Sequence, residues 1–133
     1  MKRVTGIGGL FFKSKNPGKL QEWYGKHLGI KPLPHSPWGD GDSAPLFEYR
    51  DKDDPARVCY AVFGLFEHDT DYFGPSPFMF NFRVNDLDAL LETLRQEGVH
   101  VAEEIRDYPY GRFVKITDPE GNMIELWEPA EGY

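Results

Sequence analysis

Residues Tyr110 to Pro129, YGRFVKITDPEGNMIELWEP, decide the fold of this chain. Phe113 to Thr117 is rich in β-formers, and Met123 to Trp127 resumes the pattern. Between them, Asp118-Pro119-Glu120-Gly121 has type I turn chemistry, with Asp first, Pro second and Gly fourth. The stretch predicts a β-hairpin. Successive strand residues point to opposite faces, so Ile124 and Leu126 share one face while Met123, Glu125 and Trp127 share the other. The first face suits a core. The second sets a carboxylate between two large side chains, as a cavity wall would, although a solvated surface strand gives the same pattern.

Working outward, Phe78 to Asn85 reads as a strand with Phe78, Phe80, Phe82 and Val84 on one face and Met79, Asn81 and Arg83 on the other. Asp86 is the expected N-cap of a helix whose stripe is Leu87, Leu90, Leu91 and Leu94, and Gly98 ends it. Val99 to Ile105 follows as a strand. The first half runs in parallel. Val4 to Lys13 is a strand with Leu10 and Phe12 on one face and Ile7, Gly9 and Phe11 on the other. Asn16 caps a helix with Pro17 at its first position and Leu20, Trp23, Tyr24 and Leu28 at helical spacing, the aromatic pair reading as core packing. Gly29 ends that helix. Ile30 to Leu33, Leu46 to Arg50 and Arg57 to Phe66 are the next strands. His68 to Pro77, punctuated by Gly74, Pro75 and Pro77, is the natural linker. Gly29 and Gly98 lie 69 residues apart (98 − 29), so each half reads strand, helix, Gly, three strands: a duplicated βαβββ module.

The closing D-P-x-G-N-x-I-E-L hairpin, on a duplicated βαβββ pattern, resembles the vicinal oxygen chelate (VOC) superfamily, which includes glyoxalase I, the bleomycin-resistance proteins and extradiol dioxygenases. The resemblance implies an α+β fold: two tandem βαβββ modules forming a curved eight-stranded half-barrel with the site on its concave side and helices on the other. It implies one domain over 1–133, with module 1 at about 1–68, a linker at 69–77 and module 2 at about 78–133. Metal-dependent members carry four ligands, one on each of four strands. The matching positions here are Gly9, a residue within Cys59 to Ala61, Met79 and Glu125. Only Glu125 keeps a ligand type. One carboxylate does not hold a divalent ion tightly, so no metal cofactor is expected, with a divalent metal held by relocated ligands such as Glu48, Asn81 or a loop His as the alternative. His27, His35, His68 and His100 read as surface or structural.

Applied to this fold, strand alternation predicts that Leu10/Phe12, Phe78/Phe80/Phe82, Val114/Ile116 and Ile124/Leu126 lie beneath the helices. It sends Gly9/Phe11, Met79/Asn81/Arg83, Phe113/Lys115/Thr117 and Met123/Glu125/Trp127 to the concave face. Aromatic walls with a few polar groups are the usual make-up of a small-molecule pocket. The expected ligand-binding residues are Phe11, Trp38, Met79, Asn81, Arg83, Phe113, Lys115 and Trp127, with Glu125 as the catalytic candidate. Trp38 stands on a polar loop, either tucked onto the core or at the cavity mouth. Arg83, Lys115 and Glu125 either neutralise one another or select an anionic or carbonyl-bearing ligand through Arg83. As a base, Glu125 needs desolvation to raise its pKa, which neighbouring cations would oppose.

Composition narrows the partners. Fifteen Lys and Arg face 22 Asp and Glu, a net charge of −7, with no long basic run, so nucleic acid and anionic membranes are not expected. No apolar stretch has the length of a signal peptide or a membrane span. Cys59 is alone, which excludes an internal disulfide, makes the cytoplasm the default compartment and reads as core rather than nucleophile. Asp40 and Asp42 have the spacing of the first ligands of a calcium loop without the later ones and read as an ordinary turn. The leading expectation is a small-molecule-binding protein of the bleomycin-resistance type without the full metal site, a homodimer by resemblance. The alternatives are a metal-dependent glyoxalase-type lyase, isomerase or dioxygenase, and a protein-interaction module.

Overall fold

A computed structural model describes residues 2–32 and 44–133. The expectations for Leu33, His35, Trp38, Asp40 and Asp42 fall outside the described residues. Described in chain order are β1 (Val4–Ser14), α1 (Pro17–Leu28), β2 (Leu46–Arg50), β3 (Val58–Glu67), β4 (Phe78–Val84), α2 (Leu87–Gln96), β5 (His100–Val101), β6 (Arg106–Tyr108), β7 (Gly111–Thr117) and β8 (Met123–Pro129). The strands form one open mixed sheet ordered β2-β3-β1-β4-β8-β7-β5, with β6 also paired to β7. β1 pairs antiparallel with β4, and this seam joins the two modules. Within the modules β1 runs parallel to β3, and β4 to β8. The result is the curved α+β half-barrel of two βαβββ-type modules.

Local chemistry sets the element ends. In the β7–β8 turn the Gly121 N–H donates to the Asp118 carbonyl (3.0 Å) and the Asp118 N–H to the Asn122 carbonyl (2.9 Å). Gly121 sits at φ 85°, the left-handed residue that follows a type I turn in a three-residue hairpin loop. The Asp118 carboxylate accepts from the Glu120 and Asn122 amides, which pins the turn. Asn16 caps α1 through Lys19 N–H, and Gly29 at φ 71° closes it, its N–H donating to the Gly25 carbonyl and the Ile30 N–H to the Tyr24 carbonyl, both at 3.2 Å.

Four expectations are corrected. Val99 to Ile105 is not one strand. β5 and β6 both pair with β7, but five residue steps from Val101 to Arg106 oppose three from Ile116 to Phe113, so the surplus residues loop out. Residues 30–32 are in no strand: the Ile30 N–H is spent on the α1 cap, and Pro32 has no N–H to give. Ile7 does not share a face with Gly9 and Phe11. A bulge at Gly8 sets two residues against Asn81, so Ile7 pairs with Phe82 on the helix side and is exposed. Trp23 is not core. It is half exposed on α1, against Tyr24 and His27.

The core lies under α2, where Val84, Leu87, Leu90, Leu91, Val114 and Leu126 are buried and Phe82, Ile116 and Ile124 pack against them. Each such leucine contributes about 1.5–3 kcal/mol by leaving water. α1 packs on β1 and β3 through Tyr24, which meets Phe12 and Phe63 edge-on, yet α1 has no buried residue. The prediction that all the apolar sets lie beneath helices therefore fails at the seam. Leu10, Phe78 and Phe80 are 37%, 40% and 45% exposed: α2 covers β5, β8 and the Phe82–Val84 end of β4, and α1 packs on β1 and β3 without burying Leu10, so this part of the seam is left uncovered. Cys59 is buried in β3.

Candidate functional site

The concave side of the sheet holds a hollow of about 880 Å³. At its base β4 and β8 run side by side with Asn81 level with Glu125, and β7 places Lys115 on the other side of Glu125. Alternation makes this arrangement: Asn81, Glu125 and Lys115 share a sheet face because each sits at the same phase of its strand. Both carboxylate oxygens of Glu125 are taken. Asn81 Nδ2 donates to Oε1 at 2.7 Å, and the Tyr72 hydroxyl donates to Oε2 at 2.6 Å. Glu125 is 2% exposed. Burial pushes its pKa up, against the opposing pull of the Tyr72 and Asn81 hydrogen bonds and the Lys115 charge. The Tyr72 hydroxyl is held well above its usual range, first by burial and then by the Glu125 charge it faces.

Tyr72 comes from the linker, which crosses back over the hollow. Lys13 Nζ donates to the Gly74 carbonyl (2.6 Å) and lies 5.2 Å from the Phe73 ring centre. Phe73 is fully buried and meets Phe66 edge-on, while Phe66 stacks on Tyr72 at 5.5 Å. Lys115 Nζ donates to the Tyr72 carbonyl at 2.6 Å and lies 3.7 Å from the centre of its ring. Among the described residues its one ion-pair partner within 4 Å is Glu103, at 3.9 Å. Arg83 also faces inward but is sealed into the wall. Its guanidinium donates to the main-chain oxygens of Tyr60 (3.0 Å) and Tyr133 (2.8 Å) and lies 4.8 Å from the Trp127 ring. Burial lowers its pKa. The two cations thus spend their donors on main-chain oxygens, and neither makes an ion pair with Glu125.

Of the sequence-predicted site residues, Phe11, Asn81, Phe113, Glu125 and Trp127 line the hollow together. Met79, Arg83 and Lys115 are buried in its wall without lining it. Trp38 lies outside the described residues. Sequence reasoning passed over Tyr108 and Tyr110, which stack on each other at 5.4 Å and line the hollow; it set His68 to Pro77, with Tyr72 and Phe73, at either a cleft mouth or a dimer seam, and Tyr72 lines the hollow. The one available signal was the Tyr72-Phe73 pair, two large aromatics in an otherwise polar linker.

The family's metal positions can be tested by register. On the first strand the bulge turns Gly8 as well as Gly9 toward the hollow. A Cβ on Gly8 would stand 2.2 Å from Asn81 Oδ1 and 2.9 Å from the Trp127 ring, so the Asn81 amide fills the space a side chain there would need. On β3 the residue level with Gly9 is Val62, while Cys59 and Ala61 are buried. Met79 is fully buried and is a soft thioether. The donors around Glu125 therefore do not fit the family's His and Glu site. His27, His68 and His100 are exposed. Elsewhere among the described residues Glu67, His68 and Asp69 bring ligand atoms within 4.8 Å of one another, but all three are exposed.

Fold and site define a two-module α+β cleft protein with one interior carboxylate. The model of the Glyoxalase/Bleomycin resistance protein/Dioxygenase superfamily matches residues 12–126, and the chain belongs to that family. No curated protein matches it. Among solved structures it is similar to a methylmalonyl-CoA epimerase from Mycobacterium tuberculosis, at 28% identity over 98% of this chain and 91% of that one, with a TM-score of 0.59. A Streptomyces coelicolor methylmalonyl-CoA epimerase in complex with 2-nitronate-propionyl-CoA shares the fold at 19% identity, with 96% and 99% covered and a TM-score of 0.66. So does a protein from Legionella pneumophila titled NAD-dependent benzaldehyde dehydrogenase, at 18% identity, 92% and 98% covered and 0.59. No helix among the described residues is long and apolar enough to cross a membrane.

Proposed function

We propose that this protein binds a small molecule in the concave hollow without the superfamily's full metal site. The observation that carries the reading is the state of Glu125. Both its oxygens accept from protein donors, and the other matching positions hold Gly9, the Cys59 to Ala61 stretch and Met79, none of them a carboxylate or an imidazole. A cation entering there would have to displace Tyr72 and Asn81 and would gain one carboxylate in return. Calorimetric titration with Zn²⁺, Ni²⁺, Co²⁺ and Mn²⁺ tests this, with Glu125→Gln in parallel. No stoichiometric, tight binding that depends on Glu125 is expected. One equivalent at micromolar affinity, lost in Glu125→Gln, would overturn the reading. A cation held by Glu67, His68 and Asp69 would survive that substitution and so be told apart.

A second reading, metal-independent proton transfer, draws on one observation. Burial outweighs the neighbouring hydrogen bonds and cation in setting the pKa of Glu125, which moves toward the range useful for a general base. Deuterium exchange α to the carbonyl of an acyl thioester, lost in Glu125→Gln, would establish it, and unchanged proton signals over days would dispose of it. The homodimer belongs here too. Leu10, Phe78 and Phe80 form an uncovered apolar strip along the module seam, and a second copy of the chain is the occupant we assign to it. Phe80→Asp should then halve the mass measured by light scattering, whereas a monomeric unsubstituted protein would refute the assembly. The lone, buried Cys59 fits a reducing compartment, and we place the protein in the cytoplasm.

A further inference from the structure

The two oxygens of Glu125 are held by different kinds of partner. Asn81 stands level with Glu125 on the neighbouring strand, and its bond to Oε1 is buried, so that contact moves only with the sheet. The Tyr72 bond to Oε2 is partly buried and comes from the linker, residues 68–77, that crosses the hollow. With Tyr72 in place Glu125 is 2% exposed and offers the hollow almost no surface.

The linker is fastened unevenly. Its second half is anchored to β1: Phe73 is fully buried, the Lys13 N–H donates to the Pro77 carbonyl at 2.9 Å, and Lys13 Nζ donates to the Gly74 carbonyl at 2.6 Å. Its first half, residues 68–72, has no buried residue, and His68, Asp69 and Asp71 are exposed. The main-chain bonds there are local. The Thr70 N–H donates to the Glu67 carbonyl, the Tyr72 N–H to Thr70 Oγ1 and the Gly74 N–H to the Asp71 carbonyl. Among the described residues, the hydrogen bonds that tie 68–72 to the sheet are both at Tyr72. Its hydroxyl donates to Glu125 and its carbonyl accepts from Lys115 Nζ, each at 2.6 Å. Lys115 and Glu125 lie level on paired strands and are themselves buried, so the receiving side of both contacts is rigid. A polar segment with few buried contacts opens more readily than the strands it crosses.

From this we infer that Tyr72 is a latch: residues 68–72 swing off the sheet by breaking the two Tyr72 bonds, and Glu125 Oε2 is open to a ligand only in that state. The inference rests on the metal-free reading above and adds how that site is controlled. A ligand that uses Glu125 binds the open form, so its affinity is reduced by the fraction of molecules that are open. One that rests on the aromatic walls alone binds the closed form and pays no such penalty.

The Asn81 side-chain amide reports the opening. Its Nδ2 is buried against Glu125, so its protons exchange for deuterium only when water enters there. Exchange is followed by NMR on the whole protein at pH 7 with EDTA, across urea concentrations below the unfolding transition. The slowest main-chain amides of β4 and β8 serve as the reference. Asn81 should exchange at least tenfold faster than these and at a rate independent of urea, as a local opening requires. Tyr72→Phe and Lys115→Met, which each remove one fastening and leave the other, should each speed it at least fivefold. Should a variant fail to fold, the urea dependence of the unsubstituted protein decides. Exchange that climbs with urea in step with the strand amides, or that is unmoved in folded Lys115→Met, would overturn the inference. The two proposals fail separately. Exchange coupled to global unfolding, with Zn²⁺ in place of EDTA making no difference, removes the latch and leaves metal-free binding standing. Slowing of a urea-independent exchange by Zn²⁺, absent in Glu125→Gln, removes the metal-free reading and leaves the latch.

Discussion

Tyr72→Phe removes one hydroxyl and leaves the ring on Phe66 and beneath Lys115. The lost bond, 2.6 Å to Glu125 Oε2, serves a carboxylate that is 2% exposed. Hydrogen bonds to charged groups contribute about 1.5–3 kcal/mol, and the open hollow lets water replace part of this, so the expected cost is about 2 kcal/mol. Unfolding entropy of about 2.1 cal/mol/K per residue gives roughly 0.28 kcal/mol/K for this chain, so the melting temperature should fall by about 7 °C. The cost also depends on pH. The Tyr72 bond lowers a Glu125 pKa that burial raises, so removing it sends that pKa higher still. The loss is therefore full where Glu125 is ionised and shrinks as pH falls and the carboxyl protonates. Urea unfolding of both proteins at pH 5 and pH 8 measures this. A loss below about 0.5 kcal/mol at pH 8, or one of equal size at both pH values, would refute the hydrogen-bonded account of the linker.

Three further expectations follow from the same geometry. Gly8→Ala sets a methyl 2.2 Å from Asn81 Oδ1 and should cost about 1–3 kcal/mol in chemical unfolding, with the Asn81 side-chain amide shifted in NMR; a neutral substitution would show that Asn81 does not fill that space. Glu125 has its folded pKa raised, so the folded state binds the proton more tightly and stability falls as pH rises from the usual carboxylate range through the raised value. Glu125→Gln should therefore gain stability relative to the unsubstituted protein across that window, and a pH-independent difference would contradict the direction of the shift. Lys115→Met leaves the Tyr72 carbonyl without its donor and should make residues 68–77 the first site of limited proteolysis, whereas an unchanged cleavage pattern would mean that Lys13 and Phe73 hold the linker alone.

Legibility divides by range. The β7–β8 turn could be read because Asp118, Pro119 and Gly121 act on their own backbone. The helix caps at Asn16 and Gly29 could be read for the same reason. Alternation separated Asn81, Lys115 and Glu125 from the apolar sets, since strand phase is a property of four or five adjacent residues. It failed at Ile7, where a glycine bulge broke the phase. It failed again at Leu10, Phe78 and Phe80, where side is legible in sequence but cover is not: the helices settle over neighbouring strands.

A duplicated module, a closing hairpin and an inward carboxylate are written in adjacent residues, because turn chemistry and side-chain period are local. What that carboxylate meets is set by long-range packing. Tyr72 reaches Glu125 across 53 residues of chain, and Arg83 and Lys115 turn from the hollow to distant carbonyls. Those partners are chosen by how the sheet curls and where the linker recrosses it, so no window of adjacent residues encodes them.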